Sequence, residues 1–153
     1  MSKKKPTYQK KPFESNGDGS DTSANLYMSM LTSKAFQDLT AQQARLYLFC
    51  KAQYYAEKVK PNNDQLCFTM NKSKWSGLYK LYDENNGRGF RRDMEALIEH
   101  GFIVCVECGA FTRTKSIYRF SSEWQRWGTE AFTLSPAEMT LSMNRKRVKE
   151  ADK

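Results

Sequence analysis

The chain is poor in the residues that announce chemistry: it holds one histidine, four prolines and four cysteines in 153 residues, and no apolar run approaches the about 18 residues that cross a bilayer. Each shortage excludes something. With His100 alone, and with no HExxH, no P-loop and no paired acids on a regular face, the sequence offers no recognisable nucleophile, acid–base pair or metal centre, so the expectation is that it is not an enzyme. His100 stands before a glycine at the predicted end of a helix, a place that suits capping and packing better than proton transfer. Met-Ser-Lys-Lys-Lys-Pro at the N-terminus lacks the hydrophobic region of a signal peptide, so a cytoplasmic protein with no membrane partner is expected, and thiols there stay reduced. Cys105-Val-Glu-Cys108 resembles half of a zinc knuckle, and a metal would need Cys50, Cys67 or His100 to complete four ligands. The second CxxC or HxxxH pair that makes such a signal specific is missing. Cys50, Cys67 and one of the 105/108 pair are therefore expected as small buried hydrophobes, since a regular strand points residues three apart to opposite faces. No disulfide, metal or cofactor is expected.

What the sequence does have is positive charge and aromatic bulk. A formal net charge of +8 and a pI near 9.3 favour polyanions, without separating DNA, RNA and anionic lipid. Residues that are 39% apolar and 13% aromatic can build one core, and most of the aromatics lie between Tyr27 and Phe132. Residues 1–24 hold Lys3, Lys4, Lys5, Lys10 and Lys11 and then a Ser/Gly/Asp-rich run, which predicts a disordered basic arm. Residues 25–128 read as the single domain. Residues 129–153 read as a basic tail, helical from Ser135-Pro136-Ala-Glu138 if it orders, and contain the basic block Asn144 to Lys149.

Within the domain, Ser33 to Leu39 predicts a short helical turn, and Thr40-Ala-Gln-Gln43 is a capping box opening a long helix to about Glu57. Leu46, Tyr47, Phe49, Cys50, Tyr54 and Tyr55 leave that helix little polar face, so its tyrosines are expected in the core. Leu66 to Met70 predicts a strand. Lys72 to Tyr82 predicts a second helix, buried along Trp75, Leu78, Tyr79 and Tyr82, with Gly77 marking a weak point or a close helix crossing.

The stretch Asn85 to Phe102 carries the most information. Phe90, Met94, Leu97 and Ile98 share one helical stripe and turn Arg88, Arg92, Glu95, Ala96 and Glu99 away from it, with Arg91 lateral. Gly101 is the expected left-handed cap, after which Ile103 to Glu107 and Ser116 to Phe120 predict a hairpin with a basic loop. Arg88, Arg91 and Arg92 crowd the helix end whose dipole is already positive, which makes sense beside an anion. Trp124 and Trp127 are expected to close the core from outside.

Helix, short strand, helix, turn, helix and basic-tipped hairpin form the pattern of a winged helix-turn-helix domain. Gly89 to Ile103, Thr112-Arg-Thr-Lys-Ser-Ile-Tyr118 and Phe120-Ser-Ser-Glu-Trp124 resemble the winged-helix proteins of plasmids, conjugative transposons and phages of low-GC Gram-positive bacteria. More distantly they resemble the N-terminal domain of the replication initiators of those elements, although this chain carries a single such unit. The resemblance runs from about Leu26 to Trp127. It implies an α+β fold, mostly helical, with a C-terminal β-hairpin wing. It implies double-stranded DNA as the partner, an accessory role at an origin of replication or conjugative transfer, and replication or transfer proteins of the same element as further partners. Asn85, Asn86, Arg88, Arg91 and Arg92 would meet the major groove, and Arg113 and Lys115 the flanking backbone or minor groove. Gly87 and Gly89 depart from the longer side chains expected there and would loosen the first turn. A transcriptional or copy-number regulator with the same fold, and a winged helix that binds an acidic protein, are the alternatives.

Overall fold

The computed structural model describes residues 9–109 and 114–133. Residues 1–8, 110–113 and 134–153 lie outside the described residues, and with them the helix start at Ser135, the basic block of the tail and Arg113. Residues 9–24 are exposed almost throughout and make local turns, such as the one in which Asp18 accepts from the Ser20 amide at 2.9 Å.

Two short helices, α1 (Met28–Leu31) and α2 (Lys34–Asp38), lead into α3 (Ala41–Ala56). Ser33 caps α2 by accepting the Phe36 amide at 3.2 Å. Thr40 and Gln43 form the expected capping box on α3, each side chain satisfying the other's backbone amide, at 3.2 and 3.0 Å. The buried stripe of α3 runs through Leu46, Tyr47, Cys50 and Gln53. Tyr47 is therefore core as expected, but Tyr54 and Tyr55 are exposed, which corrects the reading that placed them inside. At 100° per residue only one position in the last turn faces inward, and Gln53 takes it. Its amide donates to the Phe49 carbonyl at 3.0 Å and to the Tyr79 hydroxyl at 2.6 Å, satisfying a group that would otherwise be costly to bury.

Pro61 and two left-handed asparagines, Asn62 and Asn63, turn the chain toward β1 (Cys67–Thr69). The regular helix expected over Lys72 to Tyr82 is instead a wide π-helical turn, Ser73–Leu78. Its backbone bonds span five and six residues, from the Tyr79 amide to Lys74 and from Leu81 to Trp75, both at 2.8 Å, and Lys80 ends it at φ 51°. Widening the ring rotates Leu78 out of the expected stripe, so it is 68% exposed, while Trp75, Leu81 and Tyr82 are buried. Gly77 faces open space, so it serves no close crossing. Glu57, at the end of α3, accepts from Thr69 Oγ1 at 2.8 Å and from the Lys74 ammonium, pinning this turn to α3 and β1.

After α4 (Gly87–Glu99) the chain forms β2 (Ile103–Glu107) and β3 (Ile117–Phe120). The three strands make one antiparallel sheet in the order β1-β3-β2, so the architecture is α+β, with helices packed on a small sheet. Between Cys105 and Glu107 the β2–β3 register slips by one residue, a bulge that leaves Val106 exposed. This extra residue restores the parity between Cys105 and Cys108. Both then turn toward the core, Cys105 fully buried and Cys108 partly, where a regular strand would have sent one of them outward. Cys50 and Cys67 are buried free thiols.

Phe102 is the hub of the core. It is fully buried, edge-on to Phe36, 4.7 Å from the Tyr47 ring and parallel to Trp124 at 6.1 Å. Trp124 and Trp127 do close the core from outside, Trp127 by stacking on His100 at 4.7 Å. The path from α4 to Phe102 depends on Gly101 at φ 80°, where a Cβ would sit 2.6 Å from the Trp124 backbone nitrogen. Gly101→Ala is expected to lower unfolding stability by more than about 1 kcal/mol, while Gly77→Ala, in open space, should raise it by about 0.5–1 kcal/mol. Urea titrations of the two variants, read by tryptophan fluorescence, check both signs.

Candidate nucleic-acid interface

α4 begins on a side-chain cap. The Asn86 carboxamide oxygen accepts the Gly89 amide at 3.0 Å, and a Cβ on Gly89 would lie 2.7 Å from both terminal atoms of that carboxamide. Gly89 is thus what lets Asn86 close over the first turn, so this glycine tightens the helix start rather than loosening it. Gly87, beside it, meets only open space. Asn86 spends its oxygen on the cap, and Asn85 is exposed in the preceding turn.

The inner face of α4 is sealed. Met94 and Leu97 are fully buried and Ile98 nearly so, while Phe90, half-buried, stacks on Trp75 with ring centres 5.0 Å apart. Asp93 is buried on the same face, which the sequence reading did not single out. The signal was there: positions 90, 93, 94 and 97 have helical one-face spacing, and a polar residue in that set demands partners. Tyr82 supplies the main one, its hydroxyl donating to Asp93 Oδ2 at 2.6 Å, and the Gln43 amide and Arg92 Nε approach Oδ1 at 3.4 and 3.3 Å. Burial first, and then the proton shared with Asp93, push the Tyr82 phenol well above its ordinary pKa.

The outer face carries the charge. Arg88, Arg91 and Arg92 are exposed within the first two turns of α4, and its first turn holds no acidic residue. Arg88 and Arg91 make no ion pair among the described residues, and Arg92 meets Asp93 through its Nε while its side chain stays 73% exposed. Of the other side chains expected to face away, Glu99 is exposed, whereas Glu95 and Ala96 are half-buried. Cations at a helix N-terminus raise the local energy, and an external anion would lower it.

The neck of the hairpin loop stands beside this helix start. Gly109 donates to Ser116 Oγ at 3.0 Å and accepts from the Thr114 amide at 3.2 Å. A cleft of about 230 Å³ separates Gly87, Phe90 and Arg91 from Gly109, Thr114 and Ser116. The fold therefore brings Arg91 to the same cleft as Thr114, next to the exposed Lys115. Thr114 at the cleft edge is a neighbour that spacing alone did not reveal.

Elsewhere, His100 is a capping and packing residue as expected: Nδ1 lies 2.6 Å from the Ala96 carbonyl and Nε2 2.8 Å from Asp38, with Trp127 on its face. Among the described residues no three His, Cys, Asp or Glu side chains gather as a metal site would require, and no helix is long and apolar enough to cross a membrane. Comparison with protein-family models, with curated proteins and with solved structures finds no match to this chain.

Tyr82→Phe is expected to strip Asp93 of its closest donor and to destabilise the fold by about 1–3 kcal/mol, the cost of an unsatisfied buried acceptor. Chemical denaturation of the variant against the parent measures it.

Proposed function

We propose that this is a double-stranded DNA-binding protein with a winged helix-turn-helix fold, in which α4 enters the major groove and the β2–β3 hairpin acts as the wing. The observation that carries the reading is the two-sided character of α4: an inner face sealed by Met94, Leu97 and Ile98, and an outer face offering Arg88, Arg91 and Arg92 at its positive end. The sheet order β1-β3-β2, with the hairpin immediately after α4, supports the same reading, because a wing must rise beside the helix that reads the groove. Thr114 and Lys115 supply the donor types used on phosphates in the loop of the hairpin.

Within this proposal the arginines divide the work. Arg92 has a largely exposed side chain and a backbone phase opposite the buried stripe, which suits a bidentate contact with a guanine edge. Arg91 borders the cleft toward the hairpin and suits a phosphate. The setting is an accessory role at an origin of replication or conjugative transfer of a mobile element, which rests on the likeness of the helix ending in His100-Gly101-Phe102-Ile103 and the Arg113–Lys115 loop to proteins of such elements.

Binding to sequences selected from mobile-element DNA, titrated at several salt concentrations, tests the reading. Arg92→Ala should weaken the selected site by about 1–3 kcal/mol and random duplex less. The double variant Arg113→Ala, Lys115→Ala should weaken both DNAs by similar factors and lower the log–log salt slope by about 2, roughly one for each phosphate left without its cation. Affinity for duplex DNA that does not respond to salt would sink the proposal.

A further inference from the structure

A second concavity, sharing no lining residue with the α4–hairpin cleft, opens beside α3 and has a volume of about 420 Å³. That size falls within the range of small-molecule sites. Tyr47 and Trp124 reach it from the core, and Tyr27, Tyr54 and Tyr55 wall it while remaining 66%, 38% and 46% exposed. Such aromatic surface, gathered around a hollow and left in water, gains free energy when something apolar covers it.

Lys51 is the single charged side chain among the lining residues. It is half-buried, and that burial lowers its pKa, since the ammonium loses water without gaining a counter-charge: it makes no hydrogen bond or ion pair among the described residues. Neighbouring Lys60, by contrast, is satisfied by the Gln53 and Tyr54 carbonyls at 3.1 and 2.6 Å. The Tyr54 ring already packs edge-on against Tyr55 and has the Lys60 ammonium 5.2 Å from its centre, so what stays in water is the remaining ring surface. A partly desolvated cation and these partly exposed rings share one need, a molecule with one negative end and an apolar body.

We infer that this pocket binds a small aromatic or apolar carboxylate, its acid group on Lys51 and its body between Tyr27, Tyr54 and Tyr55. A polyanion brings more charge than the single Lys51 of the lining neutralises, and the chain's own basic segments, such as Arg145 to Lys149, carry the wrong sign. The Asn25 amide donates to the Tyr55 hydroxyl at 3.1 Å and holds that ring at the rim. The inference stands on Lys51 and the tyrosines and does not require DNA binding.

The test is a titration of the full chain with 2-naphthoate and, separately, with 2-naphthamide, which keeps the ring and removes the charge, followed by amide chemical shifts. Naphthoate should bind at millimolar concentration or below and shift residues on α3 and around Tyr27, with naphthamide about tenfold weaker. Lys51→Met should abolish the difference between acid and amide, and Tyr54→Ala should weaken both. Equal affinity of acid and amide for the unaltered chain, shifts confined to other surfaces, or no binding by either compound overturns the inference, and none of these outcomes depends on a variant folding.

Discussion

The rotation of α4 about its own axis depends on where one buried carboxylate finds its donors. Asp93 is 1% exposed, and its two oxygens accept from Tyr82, Gln43 and Arg92, which belong to the segment before α4, to α3 and to α4 itself. Apolar side chains tolerate small slips along a helix face, because attraction between hydrocarbons is non-directional. A buried carboxylate does not, since each broken hydrogen bond exposes an acceptor with nothing to meet it. Turning α4 by one position would keep some apolar packing but would strand Asp93, so this group selects the rotation in which Arg88, Arg91 and Arg92 face outward. The same bonds hold the irregular segment after the wide turn against α3, which ties the approach to α4 to its orientation.

That wide turn is where reading from the sequence stopped short. α4 was legible because Phe90, Met94, Leu97 and Ile98 repeat at helical spacing and Gly101 ends the pattern, and the exposed arginine face followed from the same phase. The capping box of α3 and the strands were legible for similar local reasons. Ser73 to Leu78 was not, because a π-helical turn differs from an α-helix by one residue per ring, and no residue type signals that change. Gln53 and Tyr54 show a second limit. Hydropathy places a tyrosine inside before a glutamine, yet the Tyr79 hydroxyl and Phe49 carbonyl make the amide the better occupant of that position. At the candidate site the helix face could be read, whereas the cleft shared by Arg91 and Thr114 could not, since it joins residues more than twenty positions apart through the course of the hairpin.

Charge and packing are arranged on different sides of the same elements. α3 gives Leu46 and Cys50 to the core, Gln43 to the Asp93 network and Lys51 to the tyrosine-lined hollow. Phe102 connects these regions mechanically: it follows the C-terminal cap of α4, and its ring meets both Tyr47 and Trp124, which also reach the hollow. A core hub with rigid aromatic neighbours transmits displacement rather than absorbing it, because packed interiors have little free volume.

The order of strands in the sheet has a consequence for how the chain is made. β3 comes last in sequence of the three described strands but lies in the middle in space, pairing with β1 on one side and β2 on the other, so neither of those strands has its sheet partner until Phe120 has been synthesised. During translation α3 and α4 can coil as they emerge, but the surface they rest on is missing until its centre arrives. The nascent protein therefore waits with β1 and β2 as unpaired edges and with Phe68 lacking the Tyr118 and Phe120 rings that cover it, an interval of exposure to aggregation and to chaperone capture.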